Sequence, residues 1–170
     1  MNIYLIGFMG CGKSSVAGKL EKCYGMNRIE MDQMIVEKNQ MEISEIFKQY
    51  GEEYFRNLES ALLDEIGTGA NQVISCGGGV VLREKNVDMM RQNGIIILLT
   101  ARPETILNRV KNDNSRPVLE GKKTVQGITE LMEKRRSKYE TAADIVIHTD
   151  EKSIDEICKE IQERLTKIGE

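Results

Sequence analysis

Residues Gly7-Phe8-Met9-Gly10-Cys11-Gly12-Lys13-Ser14 fit the pattern GxxxxGK followed by Ser or Thr at every position. The octet follows an apolar run, Asn2–Ile6, and leads into a helical pattern over Lys13–Cys23. A strand therefore delivers the chain into a glycine-rich turn and a helix leaves it, which directs the chain toward the α/β class. Glycines let backbone N–H groups turn inward and approach phosphate oxygens, and the helix start adds the positive end of its dipole. On this pattern Gly10, Cys11, Gly12, Lys13, Ser14 and Ser15 are the expected nucleotide-binding residues. Lys13 is expected to reach the β- and γ-phosphates, and the Ser14 hydroxyl to hold Mg²⁺. Cys11 reads as a small-residue substitute within the loop, not as a nucleophile.

The rest of the chain repeats the strand–helix alternation. Gly94–Thr100 is continuous and rich in Ile, as a strand covered on both faces should be. Shorter strand patterns lie at Asn27–Met31, Gln72–Cys76 and Asp144–His148. Helical patterns cover Met34–Lys38, Ile43–Tyr50, Glu52–Ile66, Arg83–Asn93, Pro103–Val110, Ile128–Thr141 and Ser153–Lys167. The expected architecture is a three-layer α/β fold, with a central parallel sheet of about five strands flanked by helices. One domain is expected over residues 1–170, with no repeat and no interdomain linker. A polar stretch without periodicity, about 111–124, is long enough to be a lid.

Composition narrows the function. A formal net charge of −3 gives no global field toward nucleic acid or anionic membrane. Trp is absent and aromatics are 5%, which disfavours a base-stacking platform. The four cysteines lack CxxC or metal-ligand spacing, and with one histidine a zinc site or a His-based triad would lack parts. Reduced thiols, the lack of an export signal and the lack of an apolar run of roughly 18 residues point to the cytoplasm. No NKxD motif marks a guanine site, and the strand Ile95–Leu99 ends in Thr100 without the acidic residue of a Walker-B strand.

Five further segments carry chemistry. They are Met31-Asp32-Gln33-Met34-Ile35, Gly51-Glu52-Glu53-Tyr54-Phe55-Arg56-Asn57-Leu58-Glu59, Gly77-Gly78-Gly79, Ser115-Arg116-Pro117-Val118-Leu119, and Arg135-Arg136-Ser137-Lys138-Tyr139. Alone, each has a plain reading. Arg56 and Glu59, at i and i+3, are also what a surface helix pair looks like, and the glycine run could be a flexible turn. In this order and spacing, with the phosphate loop, they resemble the shikimate kinase family almost end to end.

The resemblance implies ATP-dependent phosphorylation of the 3-hydroxyl of shikimate, with Mg²⁺, on the P-loop kinase fold. Asp32 matches the family carboxylate that contacts the substrate hydroxyls and serves as base. Arg56 and Arg135 match arginines that grip the substrate carboxylate, with Arg136 a competing assignment for the second. Gly77, Gly78 and Gly79 match the run that touches shikimate, and the substrate-binding helical part falls at about 32–60. Arg116 matches the lid arginine that neutralises the transferring phosphoryl group, and Arg109 the one stacked on adenine. A loop around Thr149–Ile154 would also contact adenine.

The chain departs from the family at Glu30, where Asp helps place Mg²⁺, at Ser137, where the family has proline, and at Ile154, where it often does. The implied partners are ATP and shikimate, with no nucleic acid and no membrane, and the expected assembly is a monomer. Two other functions stay open at this point. One is a related kinase for another hydroxylated acid, of the gluconate type. The other is a catalytically weak nucleotide-binding regulator, which the departure at Glu30 favours.

Overall fold

The computed structural model describes residues 1–112 and 117–169. The apolar run before the phosphate loop forms β1 (Asn2–Ile6), in which every residue is buried. Burial on both faces requires neighbours on both edges, and β1 has them. It pairs in parallel with β3 (Gln72–Ser75) on one side and with β4 (Gly94–Thr100) on the other. β2 (Asn27–Glu30) and β5 (Ile145–His148) form the outer strands, giving the order β2-β3-β1-β4-β5 with every pairing parallel. The alternating helix and strand patterns thus become the three-layer α/β fold expected of them.

The helices are α1 (Lys13–Tyr24), α2 (Met31–Asn39), α3 (Ile43–Tyr50), α4 (Glu52–Gly67), α5 (Glu84–Asn93), α6 (Pro103–Val110), α7 (Val125–Ala142) and α8 (Ile154–Ile168). β1 hands its crossover toward β2, while β2, β3 and β4 hand theirs the opposite way along the sheet. Right-handed crossovers then put α1 on one face and α4 to α7 on the other. In agreement, α1 packs on α8, and α4 packs on α5. Strand ends that diverge in this way open a crevice at the C-terminal edge of the sheet, the place where such folds bind ligands. Tyr4, Leu5, Ile6, Ile74, Ile96 and Ile97 fill the centre of the core, each fully buried. Such burial contributes about 1.5–3 kcal/mol for an aliphatic side chain.

Two helix starts and part of the expected lid depart most from the sequence expectation, and other ends shift by about one residue. α2 starts at Met31 instead of Met34, because Met31 is fully buried and Asp32 sits in the first turn, where the helix dipole favours an acid. α7 starts at Val125, capped by the Thr124 side chain accepting from Gly127 N at 3.0 Å. Within the expected lid, Pro117–Leu119 forms a 3-10 turn whose Leu119 is buried. Among the described residues no helix is long and apolar enough to cross a membrane.

Candidate active site

The phosphate loop joins β1 to α1. Gly12 is the helix N-cap at φ 98°, a left-handed conformation that glycine adopts without steric cost. Among the described residues no side chain caps α1 and no acidic residue occupies its first turn, so its leading N–H groups lack an intrahelical acceptor at the edge of the crevice. Lys13 Nζ donates to the carbonyls of Gly7 at 2.7 Å and Phe8 at 3.1 Å, so its ammonium spans the mouth of the loop. Ser14 and Ser15 are exposed there. The Cys11 side chain, by contrast, is fully buried, so this residue can offer a ligand only its backbone. From α6, Arg109 Nη1 donates to Gly10 O at 2.7 Å, closing one side of the loop. The segment Thr149–Ile154 is fixed beside it, since Asp150 accepts from Arg102 N at 3.0 Å and from the Thr105 hydroxyl at 2.8 Å.

An oxygen-rich corner lies next to the loop. Ser14 Oγ donates to Glu30 Oε2 at 2.8 Å and stands 3.5 Å from Ser75 Oγ at the end of β3. Glu30 Oε1 accepts from Arg28 Nε at 2.8 Å and pairs with Nη2 at 2.7 Å. Hydroxyl and carboxylate oxygens are the hard donors that suit Mg²⁺.

Facing this corner is an anion pocket. Arg56 on α4 is only 7% exposed and Glu59, one turn on, 1%, which overturns the surface-pair reading. Arg56 Nη1 donates to Glu59 Oε1 at 2.6 Å, and Nη2 to Glu52 Oε1 at 3.1 Å. Burial pushes the Glu59 carboxyl up; the Arg56 charge and hydrogen bond pull it back, Asp32 adds to the rise and Arg135 opposes it, with a net rise. Arg56 Nε and Glu59 Oε2 are buried and have no hydrogen-bond partner among the described residues. Such unmet capacity is what a polar ligand satisfies.

Arg135 on α7 is buried and lines the same cleft, whereas Arg136 is 60% exposed and pairs with Glu133 at 2.6 Å. Of these two neighbours, Arg135 is the one that lies in the cleft. Ser137 lies inside an unbroken α7, and two residues later the Tyr139 hydroxyl donates to Gly78 O, tying α7 to the glycine run. Burial pushes the Tyr139 hydroxyl up to about 12 and also raises the Cys76 thiol, so neither ionises near neutral pH.

The glycine run has a steric reason. A Cβ at Gly79 would strike the Arg56 guanidinium, and one at Gly77 would crowd Glu59 and come within 3.0 Å of Asp32 Oδ1. These elements enclose one cleft of about 880 Å³, bordered by Lys13, Ser14, Glu30, Asp32, Arg56 and Arg135. Arg116 lies outside the described residues. Sequence reasoning missed Arg28, Ser75 and Glu52. Alternation along β2, which puts Arg28 and Glu30 on one face, was a usable signal for the first.

A glycine-cradled phosphate loop opposed across one cleft by a carboxylate and two buried arginines defines a P-loop phosphotransferase for a small acidic acceptor. The family model for Shikimate kinase matches residues 9–166. The chain belongs to the shikimate kinase family. It is 42% identical over 166 residues to a shikimate kinase of Dehalococcoides mccartyi, covering 98% of this chain and 94% of the relative. It is 40% identical over 167 residues to that of Caldanaerobacter subterraneus subsp. tengcongensis, covering 98% and 97%. Its fold matches the solved shikimate kinase of Acinetobacter baumannii in complex with shikimate with a TM-score of 0.93, at 30% identity, over 98% of this chain and 93% of the other.

Proposed function

We propose that this enzyme transfers the γ-phosphoryl group of ATP to the 3-hydroxyl of shikimate, serving aromatic amino-acid biosynthesis. The observation that carries the proposal is the single cleft in which the phosphate loop, Asp32 and the Arg56–Arg135 pair meet. Arg56 and Arg135 bind the shikimate carboxylate, and the buried Glu59 holds the Arg56 fork in place at 2.6 Å. Asp32, in the first turn of α2, orients the acceptor hydroxyl and takes its proton. Lys13 and the leading amides of α1 balance charge on the β- and γ-phosphates, while Arg109 bounds the base side.

The oxygen donors of Ser14 and Glu30, with Ser75 at 3.5 Å from Ser14, fit Mg²⁺. When bound with the nucleotide, Mg²⁺ neutralises charge on the β- and γ-phosphoryl oxygens. In the same reading, Arg116, outside the described residues, is the arginine expected to neutralise charge on the transferring phosphoryl group, within the lid expected over about 111–124. Residues 32–60 form the substrate-binding part of a single domain over 1–170, and the enzyme acts as a cytoplasmic monomer.

ADP release from Mg-ATP tests the reaction. It should depend on shikimate and show no response to gluconate. Gluconate dependence in place of shikimate dependence would favour the related acid kinase, and no acceptor dependence at all the regulatory protein. Intact Lys13, Asp32, Arg56 and Arg135 argue against the regulatory protein, and the family match argues against the related acid kinase.

The glycine run gives a sharper test. Gly79→Ala should displace the Arg56 guanidinium. Overpacking of this kind costs about 1–3 kcal/mol. If it falls on acceptor binding, the KM for shikimate rises roughly 10- to 100-fold. The KM for ATP should stay unchanged when each substrate is varied in steady-state assays; equal rises in both would contradict the placement.

A further inference from the structure

We propose that Arg28 is a positioning residue for phosphoryl transfer, holding Glu30 so that the Ser14 hydroxyl keeps its lone pairs turned toward the nucleotide. The inference rests on the reading that the Ser14–Glu30 corner faces Mg-ATP. It starts from the geometry of the outer strand. Along β2, alternate residues share a face, so Arg28 and Glu30 stand side by side. Two Arg28 nitrogens converge on one oxygen, Glu30 Oε1: Nε donates to it at 2.8 Å and Nη2 lies 2.7 Å away. The second oxygen, Oε2, is thereby left to accept the Ser14 proton at 2.8 Å. The far side of the guanidinium is seated against α1 at Gly18, where a Cβ would stand 3.0 Å from Nη1.

A serine hydroxyl has one proton and two lone pairs. With the proton committed to Glu30, the lone pairs are left for a cation or for water. The glutamate side chain has several torsions to fix, and the arginine contact restrains them. The side chains of the pair are 34% and 19% exposed. An ion pair that open contributes little to stability, so its effect should appear in metal binding and not in folding. Groups that orient a metal ligand from behind typically cost 10- to 100-fold in metal affinity when removed.

The test compares wild type, Arg28→Met, Glu30→Gln and the double variant, using Mn²⁺ as a spectroscopic probe. Mn²⁺ binding to the protein–ADP complex is followed by electron paramagnetic resonance, together with the Mg²⁺ needed for half-maximal ADP release. Arg28→Met should weaken Mn²⁺ binding about 10-fold, at the lower end of the outer-shell range. The double variant should be no weaker than Glu30→Gln alone, and the KM for shikimate should not move. Normal Mn²⁺ affinity in Arg28→Met beside weakened affinity in Glu30→Gln would overturn the role of Arg28 alone. Additive losses in the double variant would also overturn it, since Arg28 would then act without Glu30. Normal affinity in Glu30→Gln would remove both the corner's metal role and the inference built on it.

Discussion

Arg56→Met is expected to abolish useful shikimate binding while leaving ATP binding intact. The side chain is 7% exposed and paired at 2.6 Å with a glutamate that is 1% exposed. Truncating one member of a buried charge pair that meets a ligand costs about 2–5 kcal/mol of affinity, or roughly 30- to several-thousand-fold. The same change strands Glu59 as a buried carboxyl without its partner, a loss of about 3–5 kcal/mol of stability. The two effects separate with pH and with a second substitution.

Burial already pushes Glu59 above the ordinary carboxylate range, and losing Arg56 removes the main opposing pull. A group raised in the folded state favours folding when protonated. Its contribution is therefore fully present below the unfolded value and is lost as pH rises through the folded one. Arg56→Met should accordingly melt closest to wild type at acid pH and fall further behind toward pH 8. Adding Glu59→Gln should recover much of that stability without restoring shikimate binding. Calorimetric titration with shikimate and with ATP, beside melts across pH, separates the two outcomes. Equal losses for both ligands would contradict the placement of Arg56 in the acceptor half of the cleft.

Asp32→Asn should lower kcat by about 10²- to 10⁴-fold, the usual worth of a positioned proton acceptor. Asn keeps the size and the hydroxyl-binding oxygen of Asp but cannot take the proton, so the KM for shikimate should change little. Asp32 sits where the glycine run comes closest, with its Oδ1 3.0 Å from the point a Gly77 Cβ would occupy. A shikimate KM that rises as steeply as kcat falls would make Asp32 a binding group instead of the base.

What could be read beforehand divides along physical lines. The loop and β1 were legible because glycine spacing and continuous apolarity each have few structural explanations, and both are local. The same holds for β4, whose unbroken Ile-rich run becomes a strand inside the sheet. The burial of Arg56 was not legible from its own helix. An arginine and a glutamate at i and i+3 look alike whether they face solvent or a cleft, and only the packing of α4 decides. Arg135 and Arg136 are adjacent, so a one-residue rotation of α7 separated a cleft residue from an exposed one.

The start of α2 was placed late, because Met31 and Asp32 gave no periodic signal before tertiary burial fixed them. Cys11 reads in the sequence as a small residue of the loop; that its side chain is buried follows from the core beneath the loop, which a local pattern does not contain. The Ser14–Glu30–Arg28 chain joins α1 to β2 across 16 residues, and Ser75 comes to it from a third element. Such a meeting is a property of strand order, not of spacing.

The most direct measurement is ³¹P and proton NMR of the product formed from Mg-ATP and shikimate. The expected spectrum has one new phosphate resonance coupled to the proton on carbon 3 of shikimate, appearing in step with ADP. ADP accompanied only by inorganic phosphate, or a phosphate coupled to a different ring proton, would contradict the assignment of this cleft.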